Sequence, residues 1–102
     1  MNKSSISRMR TTIAVTGFTE TEVTEGLPHL LAEFRERPWL LKTDATWDSK
    51  TNRLFIIIEC EGKNPVLDAE ATFDEVWDCV IATMDFVSEQ ISFDILESVQ
   101  VT

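Results

Sequence analysis

The chain has 102 residues, 43% hydrophobic and 26% charged, with a net charge of −9. That is the usual size of one compact domain with apolar material for a real core, and it excludes a disordered composition. All nine Lys and Arg fall in residues 1–63 beside nine acids, so that part is neutral, whereas residues 64–102 hold the other nine acids and no base; such a field repels phosphate and argues against a nucleic-acid partner.

The N-terminal MNKSSISRMRTT is basic and Ser-rich without the apolar stretch of a signal peptide, so residues 1–8 are expected as a mobile tail and residues 9–102 as the single domain. Residues 10–18 then alternate, with Ile13 and Val15 opposed to Thr12, Ala14 and Thr16, and Gly17 closing a first strand. After the polar TETE, Leu27, Leu30, Leu31 and Phe34 recur at helical spacing. This predicts a helix over 24–37 with Thr24 as cap, Pro28 in its first turn and Pro38 beyond its end. Residues 40–48 alternate again, Leu41, Ala45 and Trp47 against Lys42, Asp44 and Thr46, as a strand with one wet face.

SKTN, 49–52, reads as a hairpin connection into RLFIIIECEG, a strand covered on both sides. GKNPVLDAEA reads as a loop, and the T-x-x-E of Thr72 and Glu75 as a capping box opening a second helix that runs to about residue 88, although Asp68 offers an earlier cap. Residues 91–101 close the chain as a fourth strand, Ile91, Phe93, Ile95 and Val99 opposed to Ser92, Asp94, Ser98 and Gln100.

The order β-α-β-β-α-β is the split βαβ, or ferredoxin-like, arrangement: an α+β sandwich with a four-stranded antiparallel sheet in the order 4-1-3-2 and two helices on one face. Strands two and four hold Lys42, Asp44, Asp94 and Glu97, charges that suit edges because they discourage stray pairing.

In the second helix Phe73, Val76, Trp77, Val80, Met84 and Val87 share one apolar stripe, while Asp74, Asp78 and Asp85 share the solvent side with no base among them. In a first turn, Asp74 and Glu75 would each gain about 0.3 to 1 kcal/mol from the helix dipole, more than an i,i+4 repulsion of about 0.2 to 0.5 costs. Asp78 and Asp85 gain nothing comparable, so the ridge is either a solvated face or a surface for a basic protein partner. Cys79 and Phe86 fall between the stripes, toward the first helix or a partner.

The open side of the sheet is expected to carry Thr12, Ala14 and Thr16, then Phe55 and Ile57 or their neighbours, with Leu96 near Asp94 and Ser98. Water-exposed apolar residues of this kind mark association, so a homo-oligomer is expected through a face holding Ala14, Phe55, Ile57 and Leu96.

Chemistry is scarce. His29 is the sole histidine and falls on the outer side of the first helix, with no nucleophile motif to accompany it. No Walker loop, dinucleotide fingerprint, zinc spacing or EF-hand is present, so no cofactor, metal or catalytic residue is expected. Asp74 with Asp78 has helix-ligand spacing but no histidine. Asp44, Glu59 and Asp94 are carboxylates of the open face, the first and last on opposite edges. No apolar run approaches the roughly 18 residues of a membrane span, the longest being LFIII, 54–58. Cys60 and Cys79, without C-x-x-C, read as reduced thiols of a cytoplasmic protein.

The element order, Gly17 after the first strand and the EGLPHLLAEF stretch together resemble the ACT-like regulatory domains. That resemblance implies side-by-side association and a small-molecule site at the first strand-to-helix connection, here Gly17, Phe18, Thr19 and Gly26. The eight residues FTETEVTE between the two glycines exceed that family's usual connection. The expected role is therefore a non-enzymatic regulatory or binding domain that self-associates and takes a small molecule or protein. The alternatives are a small enzyme with a cavity between the sheets of a dimer, and an acidic scaffold docking on a basic protein.

Overall fold

The structure is a computed structural model and describes residues 7–62, 65–84 and 91–101. Its elements run β1 (Ser7–Thr16), α1 (Glu20–Arg35), β2 (Lys42–Asp48), β3 (Arg53–Gly62), α2 (Pro65–Thr83) and β4 (Ser92–Gln100), with the strands in one antiparallel sheet of order β2-β3-β1-β4. This is the expected 4-1-3-2 read from the other edge, so the charged strands are indeed the outer ones.

Strand periodicity decides where the core lies. The odd residues Met9, Thr11, Ile13 and Val15 of β1 and the even residues Leu54, Ile56 and Ile58 of β3 are all buried on one side of the sheet. Both helices contribute to that cluster, α1 through Val23, Leu30 and Phe34 and α2 through Val76, Cys79 and Val80. Each fully buried aliphatic or aromatic side chain there contributes about 1.5 to 3 kcal/mol of transfer free energy.

Both helices start earlier than the periodicity suggests. Thr19, not Thr24, caps α1: its Oγ1 accepts from the Glu22 N–H at 3.2 Å, and its own N–H donates to Glu22 Oε1 at 2.8 Å. TETE is therefore the first turn of a helix, because the reciprocal box satisfies amides that a polar loop would leave to water. Pro28 consequently stands inside the helix. Where Gly26 faces Met84, just past the end of α2, a Cβ would lie 2.9 Å from Met84 Sδ, so glycine permits the close approach.

The second helix opens at Pro65, in the segment expected as a loop, since proline's missing N–H costs nothing at a first helical position. Thr72 is consequently a buried mid-helix residue, and Asp74 and Glu75 lie beyond the reach of the N-terminal dipole. Its described end is Thr83, whose Oγ1 donates to the Cys79 carbonyl at 2.7 Å. The expected extension to residue 88, with Asp85, Phe86 and Val87, lies outside the described residues.

The β2–β3 connection is pinned by Asp48, whose carboxylate accepts from the Lys50 N–H at 3.0 Å and the Thr51 hydroxyl at 2.8 Å, while Asn52 takes the left-handed conformation at φ 54°. Those bonds, the Thr51 one foremost, hold the Asp48 carboxyl below its ordinary value.

β4 departs from simple alternation. Ile95 faces Ile13 but Glu97 faces Thr12, leaving Leu96 as the extra residue of a bulge. The parity reverses there, so Ser98 rather than Val99 shares a side with Thr11, and the two hydroxyls lie 3.1 Å apart. At the other end of the strand, Phe93 packs edge-on against Phe73 and Trp77 of α2, with ring centroids 5.6 and 4.7 Å away. Of the expected tail, Ser7 and Arg8 belong to β1. Among the described residues no helix is long and apolar enough to cross a membrane.

Candidate functional site

The connection from α1 to β2 builds the most distinctive site. Past the cap residue Glu36, the Arg37 and Leu40 N–H groups donate to the Phe34 and Arg37 carbonyls at 3.0 Å each, two tight turns that carry the chain round Pro38. The Leu41 N–H then donates to the Glu59 carbonyl at 2.8 Å and leads into β2. Leu40 is buried as a plug, whereas Trp39 and Leu41 are 55% and 46% exposed. The alternation that placed Leu41 inward is corrected here: the tight turns put Leu40 into the core instead.

Between this connection and α2 lies a cavity of about 480 Å3. One wall is Pro38–Leu41; the other is Asp68, Ala71, Thr72 and Glu75, a stripe at helical spacing, with Cys60 and Glu61 of β3 completing it. Cys60 Sγ and Thr72 Oγ1 are 3.8 Å apart. A Cβ at Gly62 would displace the Asp68 carboxylate from its present position.

An ionic relay holds the rim. Arg37 Nε donates to Glu75 Oε1 at 2.7 Å and its Nη1 to Glu33 Oε2 at 3.0 Å, tying α1 to α2. The Trp39 indole N–H donates to Glu75 Oε2 at 3.3 Å, so Glu75 positions both. Hydrogen bonds to Glu75 first and Glu33 second push the Arg37 pKa up, keeping the guanidinium charged. The neighbouring Cys79 is fully buried, and burial raises its thiol from 9.0 to about 11, so it is a neutral core residue. No Lys or Arg lines the cavity among the described residues.

The residues singled out from sequence lie elsewhere. Gly17 makes the turn after β1 at φ 107°, Phe18 is buried in the core, and Thr19 is the helix cap; none of the three lines this cavity. Gly26 borders a separate depression of about 190 Å3 with Glu22, Glu25, His29 and Thr83.

Ala14, Phe55 and Ile57 share the side of the sheet away from the helices. Ala14 is only 1% exposed, and the Arg53 guanidinium covers the Phe55 ring at 4.8 Å. Ile57 borders a mixed-charge depression of about 260 Å3 with Arg10, Thr12, Lys42, Asp44, Glu59 and Glu97. Glu59 is buried there and meets Arg8 Nε at 2.7 Å. Asp44 and Asp94 stand on opposite outer strands with two strands between them. Leu96, at the bulge, has no residue opposite it on β1.

Asp74 and Asp78 lie on the described part of α2, and Asp85 lies outside the described residues. Among the described residues no three His, Cys, Asp or Glu side chains gather as a metal ion would need.

Sequence reasoning gave Leu41, Cys60, Thr72 and Glu75 other roles and passed over Trp39 and Arg37. One signal was available in PWLL, 38–41: three consecutive large apolar residues between a helix end and an edge strand cannot all point into one core. No family model matches the sequence, and no curated protein matches it either.

Proposed function

We propose that this chain is a ferredoxin-like, non-enzymatic binding module whose ligand occupies the cavity between Pro38–Leu41 and α2. One observation carries the reading: an apolar cavity is roofed by an exposed Trp39 held to Glu75, with carboxylates and, among the described residues, no cation in its lining. Its volume, about 480 Å3, falls in the range of about 300 to 1,000 Å3 occupied by small-molecule sites. The lining selects an apolar body bearing an amine or another hydrogen-bond donor, for which Glu61 and the Thr72 hydroxyl are the acceptors.

Arylalkylamines and the matched arylalkyl carboxylates are the probes that test this. The amines are expected to change Trp39 emission and to slow alkylation of Cys60, with buried Cys79 as internal control. The substitution Ala71→Trp, which fills the cavity, is expected to abolish both effects. Equal binding of carboxylates, or binding that survives Ala71→Trp, overturns the reading.

Self-association belongs to the same proposal. The helices are strongly acidic: α1 holds four acids and one base, a net −3, and α2 five acids and no base, a net −5. Arg8, Arg10, Lys42 and Arg53 lie instead on the sheet strands, interleaved with acids. Two copies repel through their helices and attract only through that mixed face, around Phe55 and Ile57. Sedimentation at micromolar concentration is expected to show more than the 11.6 kDa monomer, and a single monomeric boundary removes this part of the proposal.

A further inference from the structure

The binding cavity leaves one part of the molecule without a role: the flank where α2 lies along β4. β4 pairs with β1 on one side, and among the described residues no strand pairs with its other edge. Such an edge turns backbone donors and acceptors toward the place a further strand would take. It also carries exposed apolar surface, since Ile95 is 40% and Leu96 50% exposed. Beside it runs a groove of about 350 Å3 between Ile95 and the Glu70, Phe73 and Asp74 of α2.

Charge says what kind of occupant fits. Glu70 and Asp74 border the groove on the helix side, while Asp94 and Glu97, opposite Ala14 and Thr12 of β1, project on the other side of the sheet, where Glu97 makes a long, exposed ion pair with Arg10 at 3.9 Å that a closer base can replace. Neither α2 nor β4 contains a Lys or Arg. A second copy of β4 would set Asp94 and Glu97 against like charges, which cross-strand pairing penalises. A second copy's β2, KTDATWD, brings one base and two acids and fits little better. A nucleic acid is repelled outright.

The register that β1 already keeps with β4 supplies the pattern. Three consecutive β1 residues, Ala14, Ile13 and Thr12, meet Asp94, Ile95 and Glu97 in turn. The geometry points to β4 as an edge that adds an extended segment of a basic partner protein, with a basic–apolar–basic triplet opposite Asp94, Ile95 and Glu97. Backbone pairing supplies the attachment and the alternate side chains the selectivity, as in strand addition generally. The bulge at Leu96 interrupts regular pairing, so the added strand is short and its release fast. Asp74 and its neighbour Glu70 become one bank of this groove, which gives the acidic face of a core helix a task.

The test uses the full chain, isotope-labelled for amide NMR, and a capped Lys-Val-Lys-Val-Lys peptide. Three comparators accompany it: the same peptide with alternate backbone N-methylation, the double variant Asp94→Asn/Glu97→Gln, and the distant double variant Glu20→Gln/Glu25→Gln on α1. The plain peptide is expected to shift the amides of Ser92–Gln100. N-methylation and the β4 double variant are each expected to weaken binding by about tenfold, while the α1 variant leaves it within about twofold. N-methylated peptide binding as well as the plain one, or the α1 variant losing as much as the β4 variant, reduces the attraction to bulk charge and overturns the assignment. So do shifts confined to α1 or β2. The methylation arm runs on the unaltered protein, so its outcome does not depend on the folding of any variant.

Discussion

The two sides of α2 are held by different physics. Toward α1, Arg37 clamps Glu33 and Glu75, and the acids there are paired within 3.0 Å. Toward β4, the contact is made by rings, Phe93 lying against Phe73 and Trp77, while the acids above it, Glu70 and Asp74, sit on an element with no base at all. The contrast teaches that on α2 an acid ties two elements together where a base receives it, as Arg37 receives Glu75. Toward β4 apolar packing does the holding instead.

Removing the rings is the strongest way to break this contrast. Phe93 is half-buried, so Phe93→Ala is expected to destabilise by about 2 to 3 kcal/mol in urea unfolding, below the cost of about 3 to 5 for a fully buried Phe. A loss under about 1 kcal/mol means that the ring contacts do not hold β4. On the other side, Arg37→Met keeps the alkyl stem and removes the fork, leaving Glu33 and Glu75 without their cation. The expected loss is about 2 kcal/mol, with a coupling of about 1 kcal/mol or more to Glu75→Gln in a double-mutant cycle. Additive single effects would show that the clamp is not a unit. The smallest expected effect sharpens the comparison most: Asp78→Asn should be neutral or stabilising by about 0.3 kcal/mol at low salt, and should lose that gain at high salt. A destabilisation would reveal a structural task for an acid on a helix without bases.

The sheet was legible because it rests on period two. Ile13 and Val15 are buried, and charge at Lys42, Asp44, Asp94 and Glu97 marked the outer strands. Helix starts were less legible, because Thr-Glu-Thr-Glu and Gly-Lys-Asn-Pro are polar in composition whether they cap a helix or wander. Only the N–H bookkeeping at Thr19 and the position of Pro65 decide between these. The cavity was hidden for another reason. It joins residues 38–41 to α2 and to the end of β3, and no local pattern encodes which parts of a chain meet. The Arg37–Glu75 pair spans 38 positions and has no spacing rule of its own.

The displaced residue at Leu96 makes β4 two half-strands spliced out of phase. After it Ser98 takes the side that unbroken alternation would give to Val99, so the far end of the helix-facing layer closes on the paired hydroxyls of Thr11 and Ser98 rather than on a valine. A change of length by one residue at this splice would exchange inside for outside along the rest of the strand, turning Val99 inward and Ser98 out to solvent. The same change made within a surface turn would leave sidedness intact.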